Sequence, residues 1–175
     1  MDGCTWCLCN EKMKKYHDEE WGRLVTDDRL LFEFLTLESA QAGLSWITIL
    51  RKRERYRKVF YDFDVNKVAQ MTEQDVERLM QDEGIVRNRL KIKSAISNAK
   101  LFIAIQKEFG SFYNYTLSFF PEQKPISYQP KTLKDIQAST PESDAMSKDM
   151  KKRGFKFFGS TICYAYLQAT GFVND

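Results

Sequence analysis

Between residues 26 and 60 the apolar positions fall at helical spacing. Thr26-Asp27-Asp28 can cap a helix, with acids set against the positive end of its dipole. Leu30, Leu31, Phe32, Phe34, Leu35 and Leu37 follow, too apolar a run for a surface helix. Glu38 comes next, and on a helical wheel it lies between Leu31 and Phe34, so its carboxylate projects from the buried face. Burying an unpaired carboxylate costs several kcal/mol, on the order of what one good core residue contributes. Such a residue needs a partner or a task. Gly43 breaks this helix and Ser45 caps a second. Trp46, Ile49, Leu50, Arg53, Tyr56 and Phe60 share one side of it, with most of the basic residues on the other.

The same spacing recurs downstream. Thr72 caps a helix over residues 73–81 with Val76, Leu79 and Met80 inward, and Gly84 is expected to close it. From Asn88 to Gly110, the positions Ile92, Ile96, Ala99 and Ile103, with Ala95 and Phe102, trace a longer amphipathic helix. A shorter aromatic helix covers residues 112–119. Periodicity fades over 121–141, where Pro121, Pro125, Pro130 and Pro141 all fall, and this reads as a long surface connection inside one domain. Thr140-Pro141-Glu142 starts another helix, with Ala145, Met146 and Met150 as its buried stripe and Lys151-Lys152-Arg153 at its negative end. After the glycine-flanked turn Gly154-Phe155-Lys156-Phe157-Phe158-Gly159, a last helix runs from about Ile162 to Ala169 and Gly171 closes it. Strand signals are nearly absent. The predicted fold class is all-α, one domain over 1–175, with a helix-hairpin-helix pattern at about 141–170.

The hairpin's chemistry suits a DNA backbone. Gly159 allows close approach, the N–H groups opening the next helix face outward for a phosphate, and Lys156 with the Ser160 or Thr161 hydroxyl can add contacts. The same pattern also describes generic helix packing.

Composition changes the picture little. The chain has 175 residues, 43% hydrophobic and 29% charged, an ordinary balance for a globular domain. No apolar run approaches a membrane span and no signal peptide opens the chain, so a cytoplasmic location is the expectation. The net charge of +3 is mild, but the basic residues concentrate at 51–58 and 151–153. Three of the four cysteines, Cys4, Cys7 and Cys9, crowd the N-terminus near the only histidine, His17. Thiolate plus imidazole is zinc-like chemistry, and free thiols beside an incidental histidine is the alternative. Trp6, Tyr16 and Trp21 in the same segment either pack on the core or line a pocket.

Several strings together carry a resemblance. They are Cys4-Thr5-Trp6, Tyr16-His17-Asp18-Glu19-Glu20-Trp21-Gly22, Leu37-Glu38 with Gln41-Ala42-Gly43-Leu44-Ser45-Trp46-Ile47-Thr48, and Lys52-Arg53-Glu54-Arg55-Tyr56-Arg57. Further on stand Gly84-Ile85-Val86-Arg87, Lys152-Arg153-Gly154-Phe155-Lys156-Phe157 with Gly159, and Thr161-Ile162-Cys163-Tyr164 through Val173-Asn174-Asp175. On these the chain resembles, over essentially its whole length, the bacterial 3-methyladenine DNA glycosylases of the Tag type.

The resemblance implies an all-α member of the helix-hairpin-helix glycosylase superfamily. It implies a monofunctional enzyme that removes 3-methyladenine from alkylated double-stranded DNA and leaves an abasic site. The expected working form is a monomer with a structural zinc. Tyr16 and Trp46 would sandwich the base, Trp6 and Trp21 would complete the wall, and Glu38 would accept hydrogen bonds from the adenine edge, offset its charge and act as the catalytic group. No catalytic aspartate is carried over, and Asp175 is left unassigned. Gln41, Gly43 and Leu44 would fill or abut the gap left by the flipped base, while Lys156, Gly159, Ser160 and Thr161 would hold phosphates.

Two departures accompany the resemblance. The family's zinc site pairs an early cysteine and histidine, matched by Cys4 and His17, with a histidine and a cysteine in a tail after Val173-Asn174-Asp175. That tail is expected to be missing here, or the site rebuilt with Cys7 or Cys9. Met13 stands where relatives can carry a pocket aromatic. The rival readings are a non-catalytic helix-hairpin-helix DNA-binding module, which needs no Glu38, and a zinc-dependent interaction protein, which needs no aromatic pocket.

Overall fold

The helix starts in this chain are set by side chains that satisfy the first free N–H groups. The computed structural model describes residues 15, 19–20, 23–41, 44–127 and 139–174. Helix α1, Asp28–Gln41, begins where Asp27 accepts a hydrogen bond from the Arg29 N–H, and it is buried without interruption from Leu31 to Ala40. A helix buried on every side is the centre of its domain rather than a surface element. Asp28 does more than balance its own helix dipole. Its carboxylate accepts from the N–H groups of Phe112 and Tyr113 at 2.8 and 3.1 Å and from Gln106 Nε2 at 2.9 Å, so it also caps a helix far along the chain.

Helix α2, Trp46–Val59, is capped by Ser45 as expected, with the Thr48 N–H donating to Ser45 Oγ at 3.3 Å. A 3-10 turn at Tyr61–Phe63 and the five-residue α3, Val65–Ala69, capped by Asp64, follow. Neither is long enough to show a period in the sequence. Helix α4, Glu73–Met80, opens with a reciprocal Thr72–Asp75 capping box. Gly84 does not close it: the helix ends at Gln81, and Gly84 lies in the following turn. A Cβ on Gly84 would sit 2.3 Å from Arg55 Cγ, so the glycine is there to let α2 approach.

Helix α5, Arg89–Phe109, is capped by Asn88 Oδ1 and ends at Gly110 in a positive-φ conformation. Its buried side includes Asn98 and Ile105, whereas Ile103 is only half-buried, because the inner stripe drifts over a long helix. Helix α6, Phe112–Leu117, stops two residues short of the expected end. The connection after it holds a 3-10 turn, Pro121–Gln123, and strand β1, Ile126–Ser127. That strand pairs in parallel with β2, Val173–Asn174, in the register Ile126 to Val173. Among the described residues these two-residue strands are the exception to otherwise helical structure.

Helix α7, Pro141–Arg153, starts with a Thr140–Ser143 capping box and ends at Gly154 in the left-handed region. Its buried stripe is Ser143, Met146, Ser147 and Met150, and Ala145 is exposed. The two serines, polar in the sequence, occupy the i, i+3, i+4, i+7 line. Helix α8, Ser160–Ala169, begins two residues before Ile162 and packs on α7 and α1. The core joins the helices: Phe32 of α1 meets Phe63 and Phe102 edge-on, and Phe102 stacks on Phe112 at 4.2 Å. Among the described residues no helix is long and apolar enough to cross a membrane.

Candidate functional site

Glu38 lies where the wheel put it, near the end of α1 and 3% exposed. Its Oε2 has no hydrogen-bond partner among the described residues. Burial pushes its carboxyl up to about 8, so at neutral pH the group is held mostly in its protonated form. Three residues later the helix ends at the half-buried Gln41, whose carbonyl accepts from the Leu44 N–H at 2.6 Å. The Leu44 side chain is exposed, and Trp46 opens α2 half-buried. One chemically unusual acid and one tryptophan therefore flank a single break between helices.

Sequence reading missed the cation behind that break. Lys91, in the first turn of α5, donates from Nζ to the Ala40 carbonyl at 2.9 Å. A positive charge at the negative end of α1 fixes the base of the turn, and burial lowers the lysine's own pKa.

Glu33, on the same helix, is fully buried but paired. Arg53 donates to it from Nε at 2.8 Å, and Arg57 forks onto both its oxygens at 2.9 Å. Arg53 also holds Glu20 through two hydrogen bonds of 2.6 and 2.8 Å and lies over the Phe34 ring. Burial raises the Glu33 pKa, but the hydrogen bonds from Arg57 and the charge of Arg53 outweigh it, and the carboxyl stays below its ordinary value. Two buried acids five residues apart on one helix thus have opposite chemistry: Glu33 is a committed anion and Glu38 is not.

The α7–α8 hairpin forms as expected. Lys156 and Thr161 are exposed, and Gly159 is the N-cap of α8 with nothing within 4 Å of a would-be Cβ. Ser160 is less free than expected, because its hydroxyl donates to Asp144 of α7. A residue that sequence reading passed over sets the turn: Asn98, buried in mid-α5, accepts from the Lys156 N–H at 3.1 Å and donates to the Lys156 carbonyl at 3.2 Å. The one signal for it is an amide at an inward position of an apolar helix.

Cys4, Trp6, Tyr16, His17, Trp21 and Gly43 lie outside the described residues, as do Met13 and Asp175. Among the described residues no group of three or more His, Cys, Asp and Glu side chains could hold a metal. Cys163 is buried in α8, and burial raises its thiol pKa well above the ordinary value.

A central apolar helix carrying two buried acids, one paired with arginines and one held neutral by burial, with a tethered helical hairpin at the C-terminal end, defines an all-helical domain of the hairpin-bearing class. Residues 6–175 match the family model for methyladenine glycosylases, and the chain belongs to that family. It is 50% identical over 175 residues to DNA-3-methyladenine glycosylase 1 of Escherichia coli (strain K12), covering 100% of this chain and 93% of that protein. A crystal structure of 3-methyladenine DNA glycosylase I superposes with a TM-score of 0.91 at 49% identity, covering 98% of this chain and 94% of that one. A variant of 3-methyladenine DNA glycosylase I, solved in complex with 3-methyladenine, superposes with a TM-score of 0.93 at 38% identity, covering 99% and 92%.

Proposed function

We propose that this chain is a monofunctional DNA glycosylase that hydrolyses the N-glycosidic bond of 3-methyladenine in alkylated double-stranded DNA, opening base excision repair. The observation that carries the reading is Glu38, a buried acid with an oxygen unpartnered among the described residues, beside the break that leads to Trp46, in a chain whose relatives are named for this activity.

The target base lies inside the duplex and must rotate out, at a cost of a few kcal/mol. N3-methylation leaves adenine cationic while it is bound to the sugar. The base then departs with the bonding electron pair as a neutral molecule, water adds to C1′, and a proton is released. Recognition is therefore the harder task. Stacking a cation on an aromatic face is favourable by roughly 0.5–2 kcal/mol, and Tyr16 and Trp46 are assigned that role, with Trp6 and Trp21 beside them. Glu38 supplies the acceptor. A cation at its oxygen favours the ionised carboxylate and offsets the burial that keeps it neutral in the free chain. The developing positive charge on the sugar is stabilised by the same carboxylate. Gln41, Gly43 and Leu44 meet the gap in the duplex, and Lys156, Gly159 and Thr161 hold backbone phosphate. Cys4 and His17 are assigned as zinc ligands. A thiolate and an imidazole are two of the four donors that structural zinc takes, and no chemical step depends on them.

The test is release of free base from methylated DNA, with 3-methyladenine expected and 7-methylguanine as the control. Binding of duplex with no base released would favour the non-catalytic module instead. Glu38→Gln should lower base release far more than it lowers binding to undamaged duplex, and equal losses would sink the assignment. Metal analysis of the intact protein addresses the ligands: a zinc-free, fully active chain removes the structural zinc.

A further inference from the structure

The hairpin turn holds a strained aromatic outward. Phe157 has a φ of +55°, a region that bulky side chains rarely adopt. The turn is pinned on both sides of it. Asn98 of α5 makes two hydrogen bonds to the Lys156 backbone, and the Ser147 hydroxyl of α7 donates to the Phe158 carbonyl at 3.3 Å. Phe155 and Phe158 are buried, while Phe157 remains 39% exposed. An outward phenylalanine contributes little to the core, yet two buried polar side chains, Asn98 and Ser147, hold the backbone on either side of it.

The position of the ring says what it faces. Its inner edge lines a cleft with Ala40, Lys91 and Ser94, so it stands beside the base of the Gln41–Leu44 turn. Among the described residues five large apolar side chains are exposed, and three of them, Leu44, Leu90 and Phe157, belong to the segments that meet around this cleft. The exposed Lys156 is its immediate neighbour, and the exposed Lys151 and Lys152 end the preceding helix. Apolar side chains flanked by cations fit a nucleic acid, with its phosphates outside and its sugars and base faces between.

We infer that Phe157 is a DNA-contacting residue, an apolar contact to the sugars or bases next to the phosphates held by the hairpin, with Asn98 and Ser147 as the positioning residues that present it. The inference rests on the glycosylase reading for the identity of the duplex as partner. Phe157→Ala removes the ring and keeps the strained backbone, while Phe157→Gly removes both ring and strain. Both variants should bind undamaged duplex about tenfold more weakly, with the slope of affinity against salt unchanged because no charge is lost. Affinity for free 3-methyladenine should be unaltered, and the Tm of Phe157→Gly should equal or exceed that of the parent. Unchanged duplex affinity in both variants overturns the inference, as does a fall in the Tm of Phe157→Gly that accounts for the binding loss. A parent chain that binds duplex but releases no 3-methyladenine refutes the glycosylase reading alone. One that binds no duplex refutes both.

Discussion

Glu33 and Glu38 sit on one buried helix, and what separates them is company. Glu33 faces two arginines and is an anion, whereas Glu38 has an oxygen without a partner among the described residues and its carboxyl is pushed up to about 8. The stability consequence has a definite sign. Below the ordinary value of 4.5 both folded and unfolded chains hold the proton, and burial of the neutral acid adds no ionisation cost. As pH rises from there to about 8 the unfolded chain gives up its proton and the folded one does not, so stability drains away by on the order of 5 kcal/mol. Glu38→Gln should accordingly change the unfolding free energy little at pH 4 and stabilise the chain increasingly up to pH 8. Urea melts at the two pH values check it, and a pH-independent difference would mean that Glu38 titrates alike in the folded and unfolded chains. Arg53→Met should act in the opposite way, costing about 3–5 kcal/mol by leaving buried Glu33 to Arg57 alone and releasing Glu20, measured by the same melts. Glu38 was legible in the sequence because its anomaly is local, an acid on an apolar stripe. Glu33 is just as buried, but its partner Arg53 lies 20 residues away and no pattern connects them.

Among the elements, the caps of Ser45, Thr72 and Thr140 were readable because each acts within three residues of itself. Gly84 was misread as a helix stop because a glycine serving close approach looks the same in sequence as one serving a cap. The inward stripe of α7 was misread at Ala145 because hydrophobicity was followed where packing had selected small serines. The hairpin itself was visible, but its rigidity was not: a buried amide from a third helix sets the turn. Lys156→Ala should lower duplex affinity by a similar factor on every sequence and reduce the steepness of its salt dependence by about one unit. Binding isotherms at several salt concentrations check this, and a loss confined to lesion-bearing DNA would place Lys156 at the base rather than at the backbone.

On the scale of the whole molecule, the segment that leads into the central helix is held against the segment that follows α8. Val25 donates to the Thr170 carbonyl at 2.9 Å, β1 pairs with β2, and Gly171, at φ +80°, passes so close to Arg23 and Leu24 that a Cβ would lie 2.4 Å from the Leu24 nitrogen. Gly171→Ala should cost at least about 2 kcal/mol in unfolding free energy, from the left-handed backbone and the clash together. Wild-type stability in that variant would mean that the two segments separate easily. Sequence alone determined the helical class, the approximate helix boundaries, the acid on the apolar stripe, the break before Trp46 and the hairpin. All of these follow from side-chain period and capping, which operate over a few residues. Only the tertiary structure decided that Asp28 caps a helix 84 residues away, that Asn98 grips Lys156 across 58, and that Glu38, unlike Glu33, keeps an oxygen unpartnered among the described residues. Many donors and acceptors of the right kind exist along the chain, and which of them meet is set by how the helices pack.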